Sequence, residues 1–227
     1  RDGDNDLLAV APSAGVVRWY KNDGTAGTWL PENVATGLTQ PAQAATLQIV
    51  GGGRPEVAVR TAHGYRVLKS TPSWQLHNEF FTPSDAMATA DIDRDGRPDL
   101  VLADSLGTVY WTDIQGAFGQ ATIIGKVDGL VRRLCVIDWN RDGWVDVLCA
   151  WNGGITLLNN GPSGWSSVPL ATGADYGDVV PLRLNNDERP DAVAHNATTG
   201  KLALLVNTSW EVRIDQARAA VTPSATV

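Results

Sequence analysis

One nine-residue phrase recurs along the chain, and that recurrence limits the folds open to it more than any other feature. Its fullest copy is Asp91-Ile92-Asp93-Arg94-Asp95-Gly96-Arg97-Pro98-Asp99. Oxygen-bearing side chains occupy alternate positions, a glycine follows, and a last carboxylate closes the phrase. A short loop with that spacing wraps a hard cation in oxygens, the ligand set calcium prefers, and the glycine permits the reversal that turns early and late ligands toward one point. An EF-hand is excluded, because it needs a glutamate at the twelfth loop position and flanking helices. Here the last acid is the ninth residue, and the flanks Met87–Ala90 and Leu100–Ala103 read as strands.

The phrase keeps time. Asp138-Trp139-Asn140-Arg141-Asp142-Gly143-Trp144-Val145-Asp146 is a second good copy, with Asn140 as a neutral oxygen donor. Residues 183–191 form a partial copy with Arg183 in place of the first acid and Glu188 in place of the glycine, keeping Asn185, Asp187 and Asp191. Residues 48–56 keep the turn without the early acids, and Asp2 to Asp6 is the back end of another copy. The closing acids Asp6, Glu56, Asp99, Asp146 and Asp191 lie 50, 43, 47 and 45 residues apart. Trp29, Trp74, Phe118, Trp165 and Trp210 beat independently at 45, 44, 47 and 45. A repeat in the forties suits four-stranded propeller blades.

Each repeat reads as four strands, A to D, with the acidic loop between A and B. Strand B is near-continuously apolar, as in Leu100-Val101-Leu102 and Val147-Leu148-Cys149-Ala150, which predicts burial on both faces. Strand C alternates, and strand D opens on the periodic aromatic and is expected to be the most exposed. The expectation is an all-β propeller of about five blades, over residues 1–42, 43–85, 86–129, 130–177 and 178–215, with 216–227 as a tail or linker. Repeat one lacks strand A. Either Ala217–Val221 supplies it, or residues before 1 do and the ring is larger. A chain without a starting Met that opens inside a motif favours the larger ring.

Composition enters where it excludes. No run of eighteen apolar residues is present, so no membrane span is expected. A net charge of −7 argues against a nucleic-acid partner, and ions bound by the seven acids of the two best loops would neutralise much of it. Cys135 and Cys149 stand three residues outside the loop on either side, so they are expected to face each other across the A–B hairpin, as two reduced thiols or as a cross-strand disulfide.

The acidic loop, the apolar strand after it and the aromatic opening strand D resemble the FG-GAP and VCBS repeat family, which includes the integrin alpha propeller and many bacterial exported proteins. Phe118-Gly119 and the turn Trp19-Tyr20-Lys21-Asn22-Asp23-Gly24 add to the resemblance. It implies a propeller of up to seven or eight blades with calcium in the A–B loops. It implies as ligands Asp91, Asp93, Asp95 and Asp99, then Asp138, Asn140, Asp142 and Asp146, with the main-chain oxygens of Arg97 and Trp144. Asp2, Asp6, Asn185, Asp187 and Asp191 are weaker candidates, and repeat two is expected to hold no ion. The metal is expected to be structural. Four crowded carboxylates repel until a cation crosslinks them, and extracellular sites of this kind bind calcium at roughly 10⁻⁴ to 10⁻³ M.

The remaining candidates are few. Trp29, Trp74, Trp165 and Trp210 share one repeat position, so core packing is expected of them. Trp139 and Trp144 lie within a loop and, if exposed, would offer a partner contact. The three histidines, His63, His77 and His195, fall at unrelated positions, and no nucleophile elbow, zincin or phosphate-loop motif is present. Asn196 and Asn207 begin triplets that match the glycosylation pattern. The reading is a non-catalytic, calcium-stabilised module for extracellular, cell-surface or periplasmic protein interaction. A glycan-binding lectin of the same build, or an accessory domain of an exported enzyme or larger complex, are the alternatives.

Overall fold

The computed structural model describes residues 5–22, 24, 27–47, 55–70, 73–80, 85–114, 120–208 and 212–216. Asp2, the loop before Pro55, Phe118, Gly119, Trp210 and the segment Ala217–Val221 lie outside them. The described residues form nineteen strands and no α-helix. They are β1 (Leu7–Ala11), β2 (Val16–Asn22), β3 (Trp29–Ala35), β4 (Gln43–Leu47), β5 (Glu56–Thr61), β6 (Gly64–Ser70), β7 (Trp74–Phe80), β8 (Ala86–Ala90), β9 (Asp99–Ala103) and β10 (Thr108–Thr112). Next come β11 (Thr122–Lys126), β12 (Val131–Ile137), β13 (Asp146–Trp151), β14 (Gly154–Asn159), β15 (Ser166–Thr172), β16 (Tyr176–Leu182), β17 (Asp191–Asn196), β18 (Lys201–Asn207) and β19 (Val212–Gln216).

The strands pair in chain order as five antiparallel meanders: β1–β3, β4–β7, β8–β11, β12–β15 and β16–β19. Four therefore have the A–B–C–D build of a propeller blade, and the first has B, C and D. The chain divides into two compact units, residues 1–123 and 124–227.

Within the first unit the apolar strand B is buried on both faces. Val57 and Val59 of β5 join Val17, Trp19 and Val34 of the first sheet in one core cluster. Ala58, which points the other way, joins Met87, Leu100 and Leu102 of the third sheet in another. One strand thus cements two neighbours, and each fully buried valine or leucine contributes about 1.5–3 kcal/mol. In the second unit Leu148 and Ala150 of β13 pack with Val179, Ala192, Ala194 and Leu205 of the fifth sheet. β1 differs, alternating exposed and half-buried positions, because it is the edge of a three-stranded sheet.

Three expectations need correction. The two cysteines do not face each other: Cys135 pairs with Leu148, and Cys149 with Leu134. The hairpin closes with Ile137 opposite Asp146, one residue short of the symmetric register, and a one-residue offset puts the two thiols on opposite faces of the sheet. Both are free. Trp139 is not exposed but 4% accessible, inside the core of the second unit. Core packing does not account for Trp29 either, which is 41% exposed at the start of an outer strand. Of the described periodic tryptophans only Trp74 packs on a core cluster, its ring 5.7 Å from that of Trp19.

Candidate metal centre

The A–B loops fold by satisfying their own backbone. In the third repeat Asp91 accepts from the Gly96 N–H at 2.9 Å, Asp93 from Asp95 N–H at 3.0 Å, and Asp95 from Arg97 N–H at 2.8 Å. The fourth repeat repeats these bonds from Asp138 to Gly143, Asn140 to Asp142 and Asp142 to Trp144, at 2.9, 2.9 and 2.8 Å. Short side-chain oxygens capturing an N–H two residues on are what make Asp and Asn turn formers. Two left-handed residues complete the reversal: Arg94 and Gly96 in one loop, Arg141 and Gly143 in the other.

The closing acid plays a part that the spacing alone does not disclose. Asp146 is fully buried, with one oxygen accepting from Trp139 N–H at 2.8 Å and the other from Asn160 N–H at 2.7 Å. Asp191 does the same for Leu184 and Asn207, at 2.7 and 2.8 Å, and Asp6 for the Trp19 indole and Asn22 N–H, both at 2.8 Å. Asp99 takes Ile92 N–H at 2.8 Å. These four closing carboxylates are therefore struts inside their sheets, and in three repeats the carboxylate accepts from the main-chain N–H of an asparagine at the end of strand C. The recurrence of Asn22, Asn160 and Asn207 was the sequence signal for that role. In the third and fourth loops the second residue turns inward over this strut, burying Ile92 and Trp139, whereas Leu184 makes the same bond and stays exposed. Asn207 also donates from its side chain to the Trp139 carbonyl at 2.8 Å, joining the fifth sheet to the fourth.

Carboxylates converge most closely in the third repeat. Asp91, Asp93 and Asp99 bring one oxygen each within 4.8 Å of one another, and they are the one such group of three among the described residues. Asp91 Oδ1 is buried without a hydrogen-bond partner. Burial pushes the Asp99 carboxyl up to about 7, against the Ile92 N–H, with the charges of Asp93 and Asp113 adding to the rise. Asp146 is likewise pushed up to about 6, chiefly by burial. An acid that is buried, crowded by like charge and short of a donor is a site chemically suited to a hard cation. Asp95, Asp138, Asn140, Asp142, Asn185 and Asp187 stand outside that group, their inner oxygens engaged by loop N–H groups. The backbone N–H groups of Arg97 and Trp144 hold those turns.

The region from the first of these loops through the second matches a known family. Residues 91–149 match the model of the FG-GAP-like repeat. The FG-GAP-like match takes in both well-formed acidic loops and the strands between them. A comparison with curated proteins finds no match to the sequence. Among solved structures, an Agrocybe aegerita lectin that recognises non-reducing terminal N-acetylglucosamine is similar over 93% of this chain and 65% of its own, at 16% identity and a TM-score of 0.59. An auxiliary nutrient-binding protein from Bacteroides ovatus is similar over 93% and 53%, at 11% identity and 0.58. A V. cholerae biofilm matrix protein is similar over 91% and 34%, at 19% identity and 0.53. The chain thus spans less than two thirds of any of these three. The likeness to these structures is one of β-propeller fold.

Proposed function

We propose that the chain is a non-catalytic, calcium-stabilised set of propeller blades that binds a protein or glycan outside the cytoplasm, as part of a larger polypeptide or complex. The convergence of Asp91, Asp93 and Asp99 around a buried, unpartnered carboxylate oxygen carries the calcium part of this reading. The ion's contribution would be to relieve repulsion among these oxygens and crosslink the hairpin. Asp91, Asp93 and Asp99 would hold it, and the arrangement calls for no substrate chemistry at the metal. An extracellular or periplasmic setting supplies calcium at the concentrations such sites need.

The test is calorimetric. Calcium titrated into metal-stripped protein should bind in the range of roughly 10⁻⁴ to 10⁻³ M. At ten times the dissociation constant it should stabilise the fold by about 1.4 kcal/mol. Asp93→Asn should remove most of that gain, and unchanged calcium stabilisation in Asp93→Asn would refute the site. A lectin is the second reading, favoured by the exposed indole of Trp29 beside the likeness to a sugar-binding propeller. A glycan array with and without calcium separates the two.

A further inference from the structure

Beside the acidic loops of the second unit lies a cleft of about 480 Å³, in the size range of small-ligand sites. Its walls are aliphatic: Ile137 at the end of β12 and Pro181, Leu182 and Pro190 flanking the fifth-repeat loop. Four charged side chains line it, Asp138, Arg141, Arg183 and Glu188, and the last three come from positions where the fifth loop departs from the other copies or faces that departure. Arg183 stands where the third and fourth loops place their first acid. Glu188 stands where they place glycine, and it keeps the left-handed backbone at φ 64°. Arg141, itself left-handed at φ 63°, reaches across to Glu188 at 3.3 Å. Non-glycine residues held in that conformation are strained, and such strain gathers at functional sites.

The charges are not equivalent. Arg141 and Glu188 satisfy each other. Asp138, which also lines the cleft, gives its oxygens to Asp142 and Gly143 N–H at 3.1 and 2.9 Å. Arg183 has neither an ion pair nor a hydrogen bond among the described residues. It is an uncommitted guanidinium at an aliphatic wall. A guanidinium matches a carboxylate with two parallel donors. The wall offers no aromatic face for a pyranose ring to stack on.

We propose that this cleft binds an acidic–aliphatic peptide segment, with a carboxylate on Arg183 and a branched aliphatic side chain against Ile137, Leu182 and Pro190. The inference deepens the binding-module reading and rests on it. The Arg141–Glu188 pair forms the polar rim. The site needs no metal of its own, because Arg183 takes the place where a cation-binding loop would carry its first acid.

The experiment is a fluorescence-anisotropy titration of the whole chain in saturating calcium, with labelled acetyl-Leu-Glu-Leu-amide as probe and its Gln counterpart as control. The Glu peptide should bind about tenfold or more tighter than the Gln peptide, and Arg183→Gln should abolish that difference. Glu188→Gly relieves the backbone strain and frees Arg141, so it should keep the fold and tighten the Glu peptide several-fold. Equal binding of both peptides, or an Arg183→Gln chain that binds like the parent, would overturn the proposal. So would Arg183-dependent binding of glucuronate without the peptide, which would reassign the cleft to acidic sugars. Calcium stabilisation is read separately from melts, so loss of the cleft leaves the calcium-stabilised module standing, and loss of the calcium effect leaves this titration interpretable.

Discussion

Removing the metal should invert the usual dependence of stability on pH. The carboxyls at issue are Asp99, 2% exposed, and Asp146, fully buried. In the unfolded chain they titrate near the ordinary 3.8; in the metal-free fold Asp99 rises to about 7 and Asp146 to about 6. Between pH 4 and 7 the folded state therefore keeps protons that the unfolded state has released. Stability falls with rising pH wherever the native state binds more protons. It is highest below pH 4 as far as these groups go, and it is lost progressively up to about pH 7. At about 1.4 kcal/mol per pH unit, Asp99 accounts for roughly 4 kcal/mol and Asp146 for roughly 3 kcal/mol. Half of their combined effect, about 3.5 kcal/mol, would still shift the melting temperature by roughly 7–14 °C in a chain of this size.

The assay is a set of thermal melts of metal-stripped protein from pH 4.5 to 7.5, each with and without calcium. Without metal, the melting temperature should fall across that range. With calcium it should fall less, because the cation favours the ionised acids and is bound at the expense of their protons, so the two curves separate as pH rises. Asp99→Asn should flatten the metal-free curve, since the amide keeps an acceptor for the Ile92 N–H and carries no charge to bury. A metal-free melting temperature that is flat or rises from pH 4.5 to 7.5 would refute the reasoning, as would an unchanged slope in Asp99→Asn.

Three further outcomes follow from the packing. Asn207→Ala removes the buried donor to the Trp139 carbonyl and should cost about 1–3 kcal/mol, read by denaturant unfolding. Gly154→Ala would place a methyl 2.1 Å from the Ala171 carbonyl oxygen, forcing β14 and β15 apart at a cost of about 1–3 kcal/mol. Cys149 is fully buried with its thiol pushed up by burial, so it should resist alkylation until the protein unfolds. Reducing agent should leave the melting temperature unchanged, because no disulfide joins it to Cys135.

The period of the acidic phrase and of the aromatics sufficed for the blade order, because a repeat that cannot bury its own apolar strand must stack on its neighbours. β5 is the clearest case: Val-Ala-Val with no polar position needs cover on both faces and has it. Register was less legible. The loop looks symmetric in sequence, but its closing acid folds back under the second residue, and that single offset moved Cys149 to the other face and Trp139 into the core. The site divided in the same way. Alternating acids were readable as a cation loop, whereas one of the closing acid's two bonds comes from a main-chain N–H about fifteen residues further on, a partner that no nine-residue pattern contains. Arg183 and Glu188 read as decay of the motif until the cleft beside them was seen.

The fifth loop separates shape from charge. It lacks the first acid and the glycine, yet Asn185 still captures Asp187 N–H, Asp187 captures Arg189 N–H, and Asp191 captures Leu184 N–H, at 3.0, 3.0 and 2.7 Å. Those are three of the bonds that shape the third and fourth loops; the bond from the turn N–H to the first acid has no counterpart, because Arg183 stands in its place. The three survive with an arginine at the entrance and a glutamate at the turn, so the local turn does not need the first acid or the glycine. It is set by short side chains bonding their own backbone and by a buried closing carboxylate. A loop fixed in advance can then be given different tasks by changing two positions. An acid and a glycine make a crowded oxygen cage, as around Asp91. On the proposal above, an arginine and a glutamate at those two positions would instead face a ligand that brings its own negative charge.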